Sequence, residues 1–190
     1  MNEKEKKLLK LMAKIHLDCF KMETRFKTAW FYPEHKGVKG YLGTSRLVVS
    51  GINPSYGQFP SKPVSFFYDC LSEFKLQNVH VTDIIKSRLS GSQYVELKRN
   101  KELFDEILEK NINWLKQEMK IIDKNLDVKI VGIGREAHDI LKRYFDEKVS
   151  DIWLRHYAWI ERYTGKRQIE RKKTFREKLL EIKKDYSNYY

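Results

Sequence analysis

The sequence predicts an α/β protein, a three-layer α/β/α sandwich around a four-stranded parallel sheet, and two observations carry that expectation. Short apolar runs at about 46–51, 79–85, 128–133 and 151–154 are bounded by turn residues, and amphipathic stretches of helical period separate them. Strands that alternate with helices in this way form a parallel sheet covered on both faces. The chain has 190 residues, shows no linker and no internal repeat, and suits one domain with a full-sized core over 1–190.

Taken in order, a first helix is expected over 3–20, with Leu8, Met12, Ile15 and Cys19 along one stripe. An irregular aromatic stretch follows, from Trp30-Phe31-Tyr32-Pro33 to Gly43. The strand at 46–51 runs into the turn Gly51-Ile52-Asn53-Pro54-Ser55, and a helix at 64–75 carries Phe67, Cys70, Leu71 and Phe74 on one side. The strand at 79–85 leads through a polar loop, Ser87 to Tyr94, into a long helix at 98–120. The strand at 128–133 is followed by a helix at 135–147, and the short strand at 151–154 runs into Arg155-His156-Tyr157-Ala158-Trp159. A basic helix is expected over 167–185, with Ile169, Phe175, Leu179, Leu180 and Ile182 turned partly inward.

Charge is the strongest compositional signal. Lys and Arg number 38 against 26 Asp and Glu, a formal net charge of +12. A chain this basic attracts polyanions, of which nucleic acid is the commonest. The competing explanation is solubility charge on a Lys/Glu-rich surface. Cys19 and Cys70 match no metal spacing and read as reduced core thiols, which suits a cytoplasmic location. No stretch is apolar enough for a membrane span and no secretory signal is expected, so the expectation is a monomer with no membrane association.

In a parallel sheet every strand's carboxyl end opens on the same edge, where open α/β sheets bind ligands. Those ends carry Asn53, then Thr82-Asp83 with Lys86 and Arg88, then Gly134-Arg135, then Arg155-His156. Pro54 fixes its own φ and pushes Asn53 towards an extended conformation, which aims the amide. Gly132-Ile133-Gly134-Arg135-Glu136-Ala137 fits a G-x-G-x-x-A dinucleotide fingerprint. It follows the third strand rather than the first, and close helix-strand packing explains its glycines better. Arg155, Arg162, Lys166 and Arg167 lie close enough to this edge in sequence to contact phosphates.

Four of these segments together resemble the uracil-DNA glycosylase superfamily. Gly51-Ile52-Asn53-Pro54-Ser55 resembles the family's first motif, in the Gly-Ile-Asn-Pro form of the mismatch-specific thymine/uracil glycosylases. Thr82-Asp83-Ile84-Ile85-Lys86-Ser87-Arg88 resembles its middle strand. Val131 to Ala137 resembles its third strand and helix start, and His156-Tyr157-Ala158-Trp159 resembles its second catalytic motif. The order and spacing span about 45–165.

The resemblance implies a DNA-binding, cofactor-free and metal-free glycosylase that flips a damaged or deaminated base into a pocket. Asn53 would orient the attacking water, and His156 would donate a hydrogen bond to the departing base. Phe59 or Phe66 would stack on the base, bordered by Gly51, Ile52 and Asp83. Ser55, Tyr56, Lys86, Arg88, Arg135, Arg155 and Arg162 would contact DNA. Two departures stand out. Asp83 replaces the Asn that reads the base edge in many uracil-specific members, so it either reads uracil poorly or serves the structure. Tyr157 replaces the usual proline after the histidine. Outside catalysis, the alternatives are a non-catalytic nucleic-acid-binding protein of the same fold and a nucleotide-binding oxidoreductase that uses the Gly132-x-Gly134 turn.

Overall fold

Val48 and Val49 belong to different hydrophobic cores, because successive side chains on a strand point to opposite faces of the sheet. The computed structural model describes residues 1–22, 26–54 and 57–190. Three strands, β1 (Leu47–Gly51), β2 (His80–Asp83) and β3 (Lys129–Gly132), pair in parallel in the order β2-β1-β3. Val49 lies opposite Val81 on one side and Val131 on the other, and Gly51 lies opposite Asp83.

Helices cover both faces. On the face that holds Leu47, Val49, Val81 and Val131, the core is completed from α2 (Lys62–Glu73), α6 (Tyr157–Ile160) and α7 (Gly165–Asp185). Phe67, Leu71, Ile160 and Leu179 are the inward side chains there. The other face, with Val48 and Ile130, is covered by α3 (Gly91–Arg99), α4 (Lys101–Ile122) and α5 (Arg135–Phe145). α1 (Glu3–Phe20) packs outside α4, where Leu11, Ile15 and Cys19 meet Trp114. Both cysteines are free and buried, as expected of core thiols. Among the described residues no helix is long and apolar enough to cross a membrane.

Three sequence expectations need correction. The fourth strand is reduced to two isolated parallel bridges, Ile130 with Val149 and Ile133 with Leu154. The Ser150 hydroxyl accepts the Ile152 N–H at 3.1 Å, and that local bond takes the amide away from a ladder. The segment expected as a loop followed by one long helix is two helices, α3 and α4. Ser90 and Gln93 form a capping box that starts α3 inside the expected loop, and Asn100 ends α3 and caps α4. On α7, Ile169 and Leu180 are exposed rather than inward, and Phe175, Leu179 and Ile182 alone form its buried stripe.

The fingerprint glycines are explained by packing. A Cβ on Gly132 would lie 2.8–2.9 Å from atoms of His138 in α5, so helix and strand approach too closely for any side chain. Gly134 has a φ of +91°, a backbone state that glycine adopts without strain, at the entry to α5.

Candidate functional site

The turn after β1 is held by the chain that leaves β2. Ile84 and Ile85 N–H groups donate to the Gly51 and Ile52 carbonyls at 2.9 Å each, which carries the parallel pairing past the strands. Leu89 N–H donates to the Pro54 carbonyl at 3.2 Å, and Asn53 Nδ2 donates to the Pro54 and Leu89 carbonyls at 3.1 Å each. Carbonyls only accept, so the amide group must present its NH2 to them. Asn53 Oδ1 is therefore the half of the amide left to accept a hydrogen bond. A hydrogen-bond acceptor held by two backbone anchors can orient a water molecule.

His156 sits on the far side of the same edge as the N-cap of α6. Its Nδ1 accepts the Ala158 N–H at 3.2 Å. A neutral ring whose Nδ1 accepts carries its proton on Nε2, so Nε2–H is a donor. Burial, reinforced by the Arg162 charge, lowers the His156 pKa to about 4. The ring is thus neutral near pH 7 and polarises a partner without bringing a positive charge.

Asn53 and His156 line one cavity of about 270 Å³, together with Phe59, Arg88, Trp30 and Tyr32. Phe59 meets Trp30 with ring centroids 5.8 Å apart, and Trp30 meets Tyr32 at 4.8 Å. Arg88 Nη2 donates to the Gly57 carbonyl at 2.8 Å, so this cation braces the cavity rim. A larger cavity of about 590 Å³ lies between the ends of α4 and α5, at the amino end of β3, and none of the polar strand exits reaches it.

Trp30 and Tyr32 were not among the residues that the sequence pointed to. They reach the cavity because segment 28–30 docks beside segment 86–88. Trp30 N–H donates to the Lys86 carbonyl, and Arg88 N–H donates to the Thr28 carbonyl. The available signal was a cluster of large aromatics in a stretch with no periodicity.

Other expected site residues lie elsewhere. Lys86 is only 1% exposed, and its ammonium donates to Glu118, to Thr82 Oγ1 at 2.6 Å and to the Asp83 carbonyl at 2.7 Å. It is a core residue and offers nothing to a phosphate. Phe66 is buried against Phe175, with Lys172 and Arg176 over its ring, so of the two candidate phenylalanines it is Phe59 that lines the cavity. Gly51 does not border the cavity. Its missing side chain makes room for Asp83 Oδ1, which a Cβ would strike. Ile52 packs against the core on the α4 face. Arg135 and Arg155 are exposed beside His156 in an adjoining groove, and Arg162 lies 4.6 Å over Trp159. Ser55 and Tyr56 lie outside the described residues.

No family model, curated protein or solved structure matches this chain. The site's chemistry therefore has to be argued from its own geometry.

Asp83 is 4% exposed and does not line the cavity, and its Oδ2 has no hydrogen-bond partner. Tyr32 and Tyr157 line it instead, with their hydroxyls 2.9 Å apart. Burial raises the Asp83 pKa to about 7, against the opposing pull of Lys86 and Tyr32. The folded state therefore holds a proton that the unfolded chain releases near 3.8. Between those values stability falls as pH rises, by at most about 1.4 kcal/mol per pH unit. Asp83→Asn removes this dependence. Urea melts from pH 4 to 8 should show the variant gaining on wild type as pH increases, and parallel curves would place the carboxylate in a solvated or well-paired setting.

Proposed function

We propose that the protein is a glycosylase that hydrolyses the N-glycosidic bond of a flipped-out damaged or deaminated base in DNA, on a uracil-DNA glycosylase-like fold. The observation that carries this reading is the convergence of Asn53, which follows the central strand, and His156, which follows the segment bridged to the β3 side, on one aromatic-lined cavity at the carboxyl edge. The net charge of +12 supports a polyanionic substrate.

In the proposed reaction a water oxygen bonds to the anomeric carbon as the carbon–nitrogen bond breaks. The bonding pair leaves with the base, and the water's proton passes to solvent or to the departing base. Asn53 Oδ1 accepts from the water and fixes its line of approach, since an amide cannot take the proton as a base. His156 Nε2–H donates to the base carbonyl on which negative charge grows. Phe59 offers the ring on which the flipped base stacks. Asp83 serves beneath the cavity as a structural carboxyl and does not read the base.

Single-turnover cleavage of duplexes that carry one uracil, hypoxanthine or xanthine tests the proposal. Wild type is expected to release at least one of these bases, and Asn53→Ala is expected to do so about a hundredfold more slowly. If no base is released while salt-sensitive binding persists, the protein is a nucleic-acid-binding module without catalysis.

A further inference from the structure

The groove next to His156 continues away from the cavity and onto α7. Trp153, Arg155, Trp159 and Tyr163 line a first groove of about 310 Å³ that begins at His156. Trp153 and Arg155 are shared with a second groove of about 220 Å³, bordered on α7 by Arg171, Thr174 and Lys178. A path therefore runs from the edge of the site, past Arg155, to the outer face of α7.

Most cations along this path lie over aromatic rings rather than beside carboxylates. Off the path, Lys172 pairs with Glu161, Lys173 with Glu177 and Arg176 with Glu73, while Lys166, Arg167, Lys183 and Lys184 on the same helix have no carboxylate partner among the described residues. Among the described residues, Arg155, Arg162, Arg171 and Lys178 have no carboxylate partner. Three of them rest on aromatic rings instead. Arg162 lies 4.6 Å over Trp159, Arg171 4.1 Å over Tyr163 and Lys178 5.2 Å over Trp153. Trp159 remains 52% exposed even with Arg162 over it.

We infer that these two grooves bind a single strand of nucleic acid, with phosphates on the unmatched cations and unstacked bases against the tryptophans. Aromatic faces stack on any base whose own face is free, and cations along the groove follow the backbone. A duplex brings the phosphates but keeps its base faces covered by neighbouring pairs. An acidic peptide brings charge but no flat partner for the rings. The inference deepens the base-excision reading and rests on it for one point only, that the strand leading into the grooves is the one that carries the target base.

Fluorescence anisotropy on the full chain tests it, with a labelled thymidine 12-mer, the corresponding duplex and polyglutamate as competitor. The single strand is expected to bind roughly tenfold more tightly than the duplex. Trp159→Ala, at an exposed position where folding is not at stake, is expected to weaken single-strand binding about tenfold and leave duplex binding unchanged. Arg171→Gln with Lys178→Gln is expected to lower the salt slope for the single strand by about 1.4, the share of two phosphate contacts. Equal affinity for duplex and single strand would overturn the inference. So would variants that bind the single strand like wild type, or polyglutamate that displaces it at equal charge. Base release plays no part in these measurements, so failure of the groove and failure of the glycosylase reading remain distinguishable.

Discussion

Replacing His156 with asparagine is expected to slow base release by about 10²–10³-fold, the usual cost of losing one donor aimed at developing negative charge, while the protein stays folded. Asparagine separates the ring's two tasks. Its side-chain oxygen can accept the Ala158 N–H and keep α6 capped, where alanine would cost about 1 kcal/mol. It is too short to place a donor where Nε2 stands. Thermal melting of His156→Asn should therefore track wild type while excision is lost. The pH profile gives an independent check. With the His156 pKa lowered to about 4 by burial and by Arg162, the wild-type rate should run flat through pH 6.5 and fall only as pH approaches 4. Protonation there also removes the lone pair that accepts the Ala158 N–H. The folded state binds this proton less readily than the unfolded chain, so stability that is present above 6.5 is lost as pH falls. A rate step near 6.5 would show the ring to be solvated and the proposed role wrong.

The places of Asn53 and His156 at the cavity were legible because they follow from local grammar. An apolar run that ends in Gly-Ile-Asn-Pro puts a polar side chain at a strand exit, and parallel pairing brings the exits together. The misplacement of Lys86 has a different origin. Whether the lysine of Thr82-Asp83-Ile84-Ile85-Lys86 faces solvent depends on Glu118, a helix away in α4, and pattern alone does not join them. A signal was present in α4 itself, because Asn111 and Glu118 fall on the stripe that also carries Leu115 and Ile122. Polar residues on an apolar stripe demand buried partners. Asn111 Oδ1 accepts the Lys86 N–H at 2.8 Å and Glu118 takes its ammonium, so both demands point to the same lysine. Phe66 was ambiguous for a related reason. It lies one residue from the inward Phe67, and the packing of α7 decided which aromatic was covered. The weak fourth strand shows the limit of apolar patterning, since the Ile152 amide bonds the Ser150 hydroxyl while only its neighbours Ser150 and Leu154 bond to β3.

Lys86→Ala should be among the most damaging single substitutions in the chain, at about 3–5 kcal/mol, because it removes one partner of a buried ion pair. Glu118 is fully buried between Lys86, His80, Thr82 and Tyr41. Burial on its own would raise the Glu118 pKa, but Lys86 and His80 outweigh that effect and hold it below the ordinary value. Without the ammonium the burial effect dominates and the carboxylate is stranded. Thr82 Oγ1 also loses the donor that lets it pass its own hydrogen to Glu118. The penalty belongs to the charged carboxylate, which dictates its pH dependence. Urea melts at pH 7.5 should show the full loss, and the gap to wild type should narrow as pH falls and the stranded Glu118 takes up a proton. Lys86→Met with Glu118→Leu, which removes both charges and fills the space, should recover most of the stability even though it contains the damaging position. A loss under about 1 kcal/mol for Lys86→Ala, with weaker and less salt-sensitive DNA binding, would return Lys86 to the DNA-contacting surface where its sequence position had placed it.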